Sequence, residues 1–170
     1  MMINRLFSKA AALGLGLAIL AWIATAGAAV RSDELSFATD LTRDAEMARE
    51  KRLPILILFV APNCAYCERV RHDFLLPMQR NPEYANKVIF RQLYLQSGKI
   101  LMDFAGKKTS HRQFAKQHKI KFTPTVKLFD ADGNSLTEPL VGLTTPDFYG
   151  SYLDGAIDEA LVKTRAISPP

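Results

Sequence analysis

Hydrophobic residues follow two patterns along the chain: continuous apolar runs, which predict strands, and apolar residues at helical spacing, which predict helices. Residues 54–60 form a continuous apolar run, P-I-L-I-L-F-V, which is typical of a strand buried on both faces of a sheet. Apolar residues at helical spacing precede this run over residues 40–52, with Asp40 as the candidate N-cap, and follow it over residues 64–76. The pattern therefore predicts helix, strand and helix in this order.

The second half of the sequence predicts further strands and helices and then a hairpin. The predicted strands lie at residues 88–95, 125–129 and 136–141, and the predicted helices lie between Ser110 and His118 and at residues 146–163. Ser110 is the candidate N-cap of the shorter helix, and a connection over residues 96–110 precedes it. The segment D-A-D-G-N predicts a tight turn with a positive φ at Gly133. Alternation that ends in a hairpin predicts an α/β fold with a mixed sheet.

The first thirty residues differ in character from the rest of the chain. Arg5 and Lys9 give a positive start, residues 10–30 carry no charge, and the small residues A-G-A at 26–28 follow the pattern of a cleavage site. These features predict a cleavable secretory signal peptide over residues 1–28 and an exported, periplasmic protein. The alternative is an uncleaved membrane anchor.

The remaining sequence predicts one globular domain over residues 40–167. A short extension over residues 29–39 precedes it and a tail over residues 168–170 follows it; the extension is expected to be loose as far as residue 36. Two cysteines exclude a disulfide-dense miniature scaffold. Loss of the predicted signal peptide lowers the formal charge from +5 to +3, because two basic residues leave with it, and this charge is too small to predict nucleic-acid binding.

The only two cysteines, Cys64 and Cys67, are spaced as C-x-x-C where the buried strand is predicted to give way to a helix. Unpaired N–H groups and the helix dipole at such a position stabilise a thiolate, which would make Cys64 a better nucleophile and leaving group. Cys67 lies three residues later on the same helix face and can close a disulfide with it. The arrangement predicts thiol–disulfide exchange.

Two other uses of the cysteine pair remain open at this point. C-x-x-C is half of a zinc site that His72, His111 or His118 could complete, and paired thiolates also suit Cu(I). A purely structural disulfide is the other alternative. The three histidines are expected to be solvated helix residues, and haem attachment is excluded because Glu68 rather than histidine follows Cys67.

The sequence resembles the thioredoxin-fold family over about residues 40–163. The resemblance rests on the strand with C-A-Y-C and on three later segments, at residues 118–125, 132–133 and 141–142. It implies a thioredoxin fold, with a central mixed β-sheet flanked by helices on both faces. It also implies that Pro124 is a cis-proline beside the disulfide and that the backbone of Thr123 turns towards the substrate.

The same resemblance implies the chemistry and the partners. Cys64 would attack a substrate disulfide and Cys67 would resolve the mixed disulfide, while Thr123, Pro124 and Tyr66 would contact the substrate. No cofactor and no resident metal are expected. The expected partners are protein thiols or disulfides in the periplasm, a membrane-bound protein is a candidate redox partner, and the protein is expected to be a monomer.

The sequence departs from thioredoxin at three places near the cysteines. Leu58 replaces the buried Asp six residues before the first cysteine, Asn63 replaces Trp, and Ala65-Tyr66 replaces Gly-Pro. The Tyr is closer to periplasmic isomerases and reductases, but residues 29–39 leave no room for an isomerase's dimerisation domain. The expectation is therefore a monomeric periplasmic reductase, since no His separates the cysteines; the alternative is a copper or zinc carrier with the same fold.

Overall fold

The computed structural model describes residues 33–167. The predicted signal peptide, the first four residues of the predicted extension and the predicted tail lie outside these residues. No helix within 33–167 is both long and apolar enough to cross a membrane.

A four-stranded mixed sheet forms the centre of the domain. The described residues contain six strands, of which four form this sheet: β1 (Ile55–Val60), β2 (Ile89–Tyr94), β3 (Ile100–Met102), β4 (Lys108–Ser110), β5 (Thr125–Phe129) and β6 (Leu140–Val141). The main sheet has the order β2-β1-β5-β6, in which β1 pairs in parallel with β2 and antiparallel with β5. β5 and β6 are antiparallel, and β3 and β4 form a separate two-stranded sheet. The predicted mixed sheet and fold class are confirmed.

Residues 33–167 form five α-helices around this sheet. They are α1 (Leu41–Lys51), α2 (Ala65–Arg69), α3 (Leu76–Arg80), α4 (His111–Gln117) and α5 (Pro146–Ile167). The Asp40 side chain accepts hydrogen bonds from the Thr42 and Arg43 N–H groups, and the Ser110 hydroxyl accepts one from Gln113. Both predicted N-caps are confirmed, so polar side chains satisfy the free N–H groups where α1 and α4 begin.

The side chains of β1 separate two hydrophobic cores. Leu56, Leu58 and Val60 pack on one face, with residues of the α2–α3 segment and α5. Ile55, Ile57 and Phe59 pack on the other, with residues of α1 and α4. Because consecutive strand residues point to opposite faces, a strand covered on both sides must be apolar throughout. This confirms the prediction from the uninterrupted apolar run.

The helix that follows the cysteines continues beyond its predicted end at Leu76. A π-helical turn, Val70–Leu75, connects α2 and α3, and the Leu76 N–H bonds to the carbonyl of Arg71, five residues back. The wider π turn comes directly before Pro77, which has no N–H and whose ring would clash in a regular α-helix. The helical segment therefore passes the proline and ends at Arg80.

Two predictions about strands and connections are wrong. The connection over residues 96–110 contains the β3–β4 hairpin, closed by a turn in which Asp103 accepts hydrogen bonds from the Ala105 and Lys107 N–H groups. Conversely, β6 is only two residues long where residues 136–141 were expected to be a strand. Pro139 lies in that segment and lacks the N–H that a sheet ladder needs.

The segment before α1 is bound to the sheet and is not loose. Leu35 is only 1% exposed, and residues 36–38 run parallel to β2. The Gln92 N–H donates to the Ser36 carbonyl, and the Ala38 N–H donates to the Gln92 carbonyl, both at 2.9 Å. The expectation of a loose extension is therefore wrong for Leu35 and Ser36, because these contacts bind them to the edge of the sheet at β2, and residues 29–32 lie outside the described part of the chain.

Candidate active site

The cysteine pair lies at the junction between β1 and α2 and forms a disulfide. Cys64 is the N-cap residue of α2, and Asn63 before it has a φ of 58°. Asparagine tolerates this left-handed conformation better than most residues, so it suits the sharp change from strand to helix. Cys64 is half-buried, whereas Cys67 is 0% exposed. Solvent and a substrate can therefore approach Cys64 but not Cys67.

Two donors point at the sulfur of Cys64. The Cys67 N–H lies 3.2 Å from Cys64 Sγ, and the Thr123 hydroxyl lies 3.8 Å from the same atom. The first is one of the N–H groups that a helix leaves unpaired at its start. In the reduced protein both donors would stabilise negative charge on this sulfur.

The loop that contains Thr123 is held next to the disulfide. The peptide bond between Thr123 and Pro124 is cis. The Gly142 N–H donates to the Pro124 carbonyl at 2.8 Å, and the Thr125 hydroxyl donates to the Phe122 carbonyl at 2.9 Å. These bonds fix the loop from both sides. The structure thus brings Thr123 and Pro124 next to Cys64. The local sequence around Cys64 does not predict this neighbourhood, because the loop lies about sixty residues further along the chain.

Tyr66 is a surface residue of the site. It lies between the two cysteines in sequence, and its side chain is 60% exposed. Phe122 and Val141 are 67% and 48% exposed, and both line a groove beside the cis-proline loop. Sequence reasoning missed these two apolar side chains as site residues. The available signal was their position, since Phe122 directly precedes Thr123 and Val141 directly precedes Gly142, which bonds to the Pro124 carbonyl.

Beneath the disulfide the environment is apolar. Cys67 belongs to the same core as Leu58, Val70 and Val126. Leu58, at the position of the acid found in thioredoxin, is 0% exposed and is paired in the sheet with Gln92 of β2. The Gln92 amide nitrogen donates to the Leu35 carbonyl. The β1–β2 pair at this level therefore carries no ionisable side chain.

Two of the three histidines are not solvated residues of a helix surface as expected: His111 is buried and His118 is half-buried. The Nδ1 of His111 accepts the Tyr94 N–H at 3.3 Å and its Nε2 lies 3.1 Å from the Ala38 carbonyl, so Nε2 carries the proton in the neutral ring. Burial lowers its pKa. His118 packs between Phe114 and Phe129, and burial, followed by the charge of Lys127, lowers its pKa to about 4.

His72 is exposed and lies 3.3 Å from the carboxylate of Glu68, which also forms a salt bridge with Arg71. Over residues 33–167 no three His, Cys, Asp or Glu side chains are grouped as ligands for a metal. The histidines that were considered as completing a zinc site therefore have other neighbours.

The geometry can be compared with known proteins. Residues 41–157 match the family described as thioredoxin-like domain. The chain belongs to this family. Its membership supports thiol–disulfide oxidoreductase chemistry, with protein thiols or disulfides as the general substrate class. No curated protein matches the sequence.

Two solved structures show the same fold as this thioredoxin-like domain. A thioredoxin of Malassezia sympodialis, Mala s 13, is 18% identical with a TM-score of 0.51, and the match covers 75% of this chain and 94% of that one. Mitochondrial thioredoxin 3 from Saccharomyces cerevisiae, in its oxidised form, is 18% identical with a TM-score of 0.50, covering 74% and 94%.

Proposed function

We propose that this protein is a periplasmic thiol–disulfide reductase that reduces disulfides in exported proteins through Cys64 and Cys67. The observation that carries the proposal is the unequal environment of the two sulfurs. Cys64 is the more accessible and receives two donors, the Cys67 N–H and the Thr123 hydroxyl, whereas Cys67 is buried. This asymmetry assigns the two roles that the reaction needs, an external nucleophile and an internal resolving thiol.

The reaction proceeds by two exchanges at sulfur. In the reduced protein the Cys64 thiolate attacks one sulfur of a substrate disulfide, and the other substrate sulfur leaves as a thiolate. Cys67 then loses its proton and attacks Cys64 Sγ in the mixed disulfide. The second substrate thiolate leaves, and the Cys64–Cys67 disulfide forms. Two electrons pass to the substrate, which takes up two protons.

Substrate contacts are proposed at the surface around Cys64. Thr123 and Pro124 lie in a loop held by hydrogen bonds from both sides, so an extended peptide would meet a rigid backbone there. The exposed ring of Tyr66 adds apolar area at the same end of α2. A preorganised surface of this kind lowers the entropy lost when a substrate aligns its disulfide with the nucleophile.

The test of activity is reduction of insulin with dithiothreitol as the electron source. We expect precipitation of insulin chains above the background rate, and loss of this activity in Cys64→Ser. Ala85→Ser, an exposed site outside the cysteine region, is the matched control and should keep it. No activity above background would refute the enzymatic function, and one tightly bound Cu(I) or Zn²⁺ per reduced chain would then favour the metal carrier.

Direction and location need separate measurements. A redox titration against glutathione should give a potential on the reducing side of the strong periplasmic oxidants, about −120 mV. A potential as high as theirs would contradict the reductase.

Export is supported by the charged start, the apolar run and the A-G-A segment. Mass spectrometry of the protein from a periplasmic fraction should show residues 1–28 removed, and recovery of the uncut chain from the cytoplasm would refute export.

A further inference from the structure

Positive charge is concentrated in one stretch of the sequence. Between Asp103 and Asp130 there are seven lysines and arginines and no acidic residue, although the whole chain has 22 basic and 17 acidic residues. The stretch contains β4, α4, the cis-proline loop and β5. A charge asymmetry of this size within a chain of modest net charge points to a surface that interacts with an anionic partner.

The structure places five of these seven basic residues around two adjoining concavities, which together we name the basic groove. The larger has a volume of about 540 Å³ and the smaller about 330 Å³, and both are lined by Lys119, Ile120 and Lys121. The larger continues along the apolar side chains of Phe122 and Val141. The remaining lining residues are His118, Thr125, Lys127 and Pro139 in the larger concavity, and Leu95, Gln96, Arg112 and Lys116 in the smaller one.

The basic groove begins beside the disulfide. Phe122 directly precedes Thr123, whose hydroxyl lies 3.8 Å from Cys64 Sγ. On the other side Val141 pairs with Thr125 in the sheet and precedes the glycine that bonds to the cis-proline carbonyl. A polypeptide whose cysteine is joined to Cys64 would therefore have its neighbouring residues at the mouth of this groove.

The lysines of the groove are not held in salt bridges by the described residues. Among the described residues, no salt bridge is formed by Lys119, Lys121 or Lys127, and no residue that lines either concavity carries a carboxylate. Of the described lysines outside the groove, Lys87 bonds to two carboxylates and Lys163 to one, whereas Lys51 and Lys107 form no salt bridge. An incoming carboxylate would add a close counter-charge, since Glu138 acts on Lys127 without forming a salt bridge with it.

Lys127 is the most favourable of these positions. It is half-buried and its Nζ lies 5.4 Å above the Phe129 ring. Burial lowers its pKa, the exposed carboxylate of Glu138 acts in the opposite direction, and the charge of Lys119 lowers it further. A carboxylate placed here meets a partly desolvated cation, where charge–charge attraction is stronger than at an open surface.

We propose that the basic groove selects protein substrates that carry acidic side chains, together with an aromatic or aliphatic one, within a few residues of the reactive cysteine. This inference rests on the proposed reductase function. The acidic side chains would pair with Lys119, Lys121 and Lys127, and the apolar one would cover Phe122 and Val141. A concave site with an apolar wall next to a nucleophilic sulfur fits a peptide better than it fits a flat anionic membrane.

The test compares three disulfide-linked peptides that differ only in the two residues beside the cysteine, Glu-Glu, Gln-Gln or Lys-Lys, each followed by Phe. We expect kcat/KM for the Glu peptide to exceed that for the Gln peptide about fivefold at low salt, as two partly exposed ion pairs would give. The ratio should fall towards one in about 1 M salt, where the screening length is about 3 Å. It should also fall towards one in the double variant Lys119→Glu/Lys121→Glu.

A second double variant, Lys51→Glu/Lys107→Glu, is the matched control. It changes the net charge equally, and both lysines are exposed and lie outside the basic groove. We expect the Glu-to-Gln ratio to stay at its wild-type value. An equal loss in both double variants would overturn the inference, because general electrostatic attraction would then explain the preference.

Other outcomes separate the inference from the function on which it rests. Equal rates for the Glu and Gln peptides would overturn the inference and leave the reductase intact, whereas no reduction of any peptide would refute the reductase itself. Binding of the wild-type protein to vesicles that contain phosphatidylglycerol, lost in Lys119→Glu/Lys121→Glu and without any peptide preference, would assign the surface to a membrane and overturn the inference.

Discussion

Protonation of His118 should lower the free energy of unfolding at acidic pH, and replacement of this residue by phenylalanine should remove this part of the pH dependence. The imidazole lies between two aromatic rings, with centroids 4.4 Å from that of Phe114 and 4.8 Å from that of Phe129. Burial in this position lowers its pKa from 6.5 to about 4, helped by the charge of Lys127 and opposed by that of Asp103. The folded state therefore holds the neutral ring.

The size of the effect follows from this shift. Because the pKa of His118 is lower in the folded state, the unfolded chain takes up the proton first as the pH falls. The contribution of His118 to the free energy of unfolding is therefore fully present above about pH 6.5 and is lost progressively as the pH falls to about 4. With the pKa values above, the loss is at most about 2 kcal/mol at pH 5 and about 3 kcal/mol at pH 4.

The assay is urea unfolding of the wild type and His118→Phe at several values between pH 4 and pH 7. Other groups that titrate, His111 among them, are common to both proteins, so the difference between the two free energies of unfolding isolates His118. Phenylalanine keeps the contacts between the rings. The variant should gain stability relative to the wild type as the pH falls. Parallel curves for the two proteins would refute the reasoning.

Three further predictions test other parts of the structure. Ser110→Ala should lower the free energy of unfolding by about 1 kcal/mol because α4 loses its N-cap, while Ser151→Ala should not; equal effects in urea unfolding would contradict this. Thr123→Val should slow alkylation of reduced Cys64 by about threefold at pH 7, because a donor to the sulfur is lost, and an unchanged rate would show that the hydroxyl does not act on it. Leu58→Asp should destabilise the oxidised protein by about 3 kcal/mol at pH 7, because a carboxylate would be buried in the core; a loss below about 1 kcal/mol would contradict the apolar environment.

The features that could be predicted from the sequence are those fixed by local pattern. The uninterrupted apolar run identifies β1, because a strand covered on both faces has no polar position. Asp40 and Ser110 identify the starts of α1 and α4 because their side chains bond to N–H groups two or three residues away. The two cysteines mark the junction between β1 and α2 because strand, turn and helix follow one another directly, from Ile55 to Arg69.

The features that could not be predicted depend on residues that are distant in sequence. His111 is polar and follows an N-cap, so a solvated position was the natural expectation, but its ring bonds to Tyr94 and Ala38 on two other segments. The same applies to residues 36–38, which are held by β2. The length of β6 and the path past Pro77 are different, because each depends on a nearby proline: Pro139 directly precedes β6 and shortens it, whereas a π turn carries the helix past Pro77.

Some residues of the candidate site could likewise be predicted from the sequence, and others could not. The nucleophile and the resolving cysteine could be predicted from C-x-x-C, and Thr123 and Pro124 came from the resemblance to a known family. The exposure of Phe122 and the groove that Lys119 and Lys127 share could not be predicted, because the groove also needs Val141, which pairs with Thr125 only when β6 lies beside β5.

The most direct test of the central claim is the reactivity of each cysteine in the reduced protein. Alkylation by iodoacetamide from pH 5 to pH 9, with each site followed by mass spectrometry, should modify Cys64 first and with half-maximal rate well below about pH 8.5, the pKa of an ordinary thiol. Cys67 should react at least about tenfold more slowly because it is buried. Equal rates for the two thiols, both half-maximal near that pH, would show that the start of α2 does not activate Cys64.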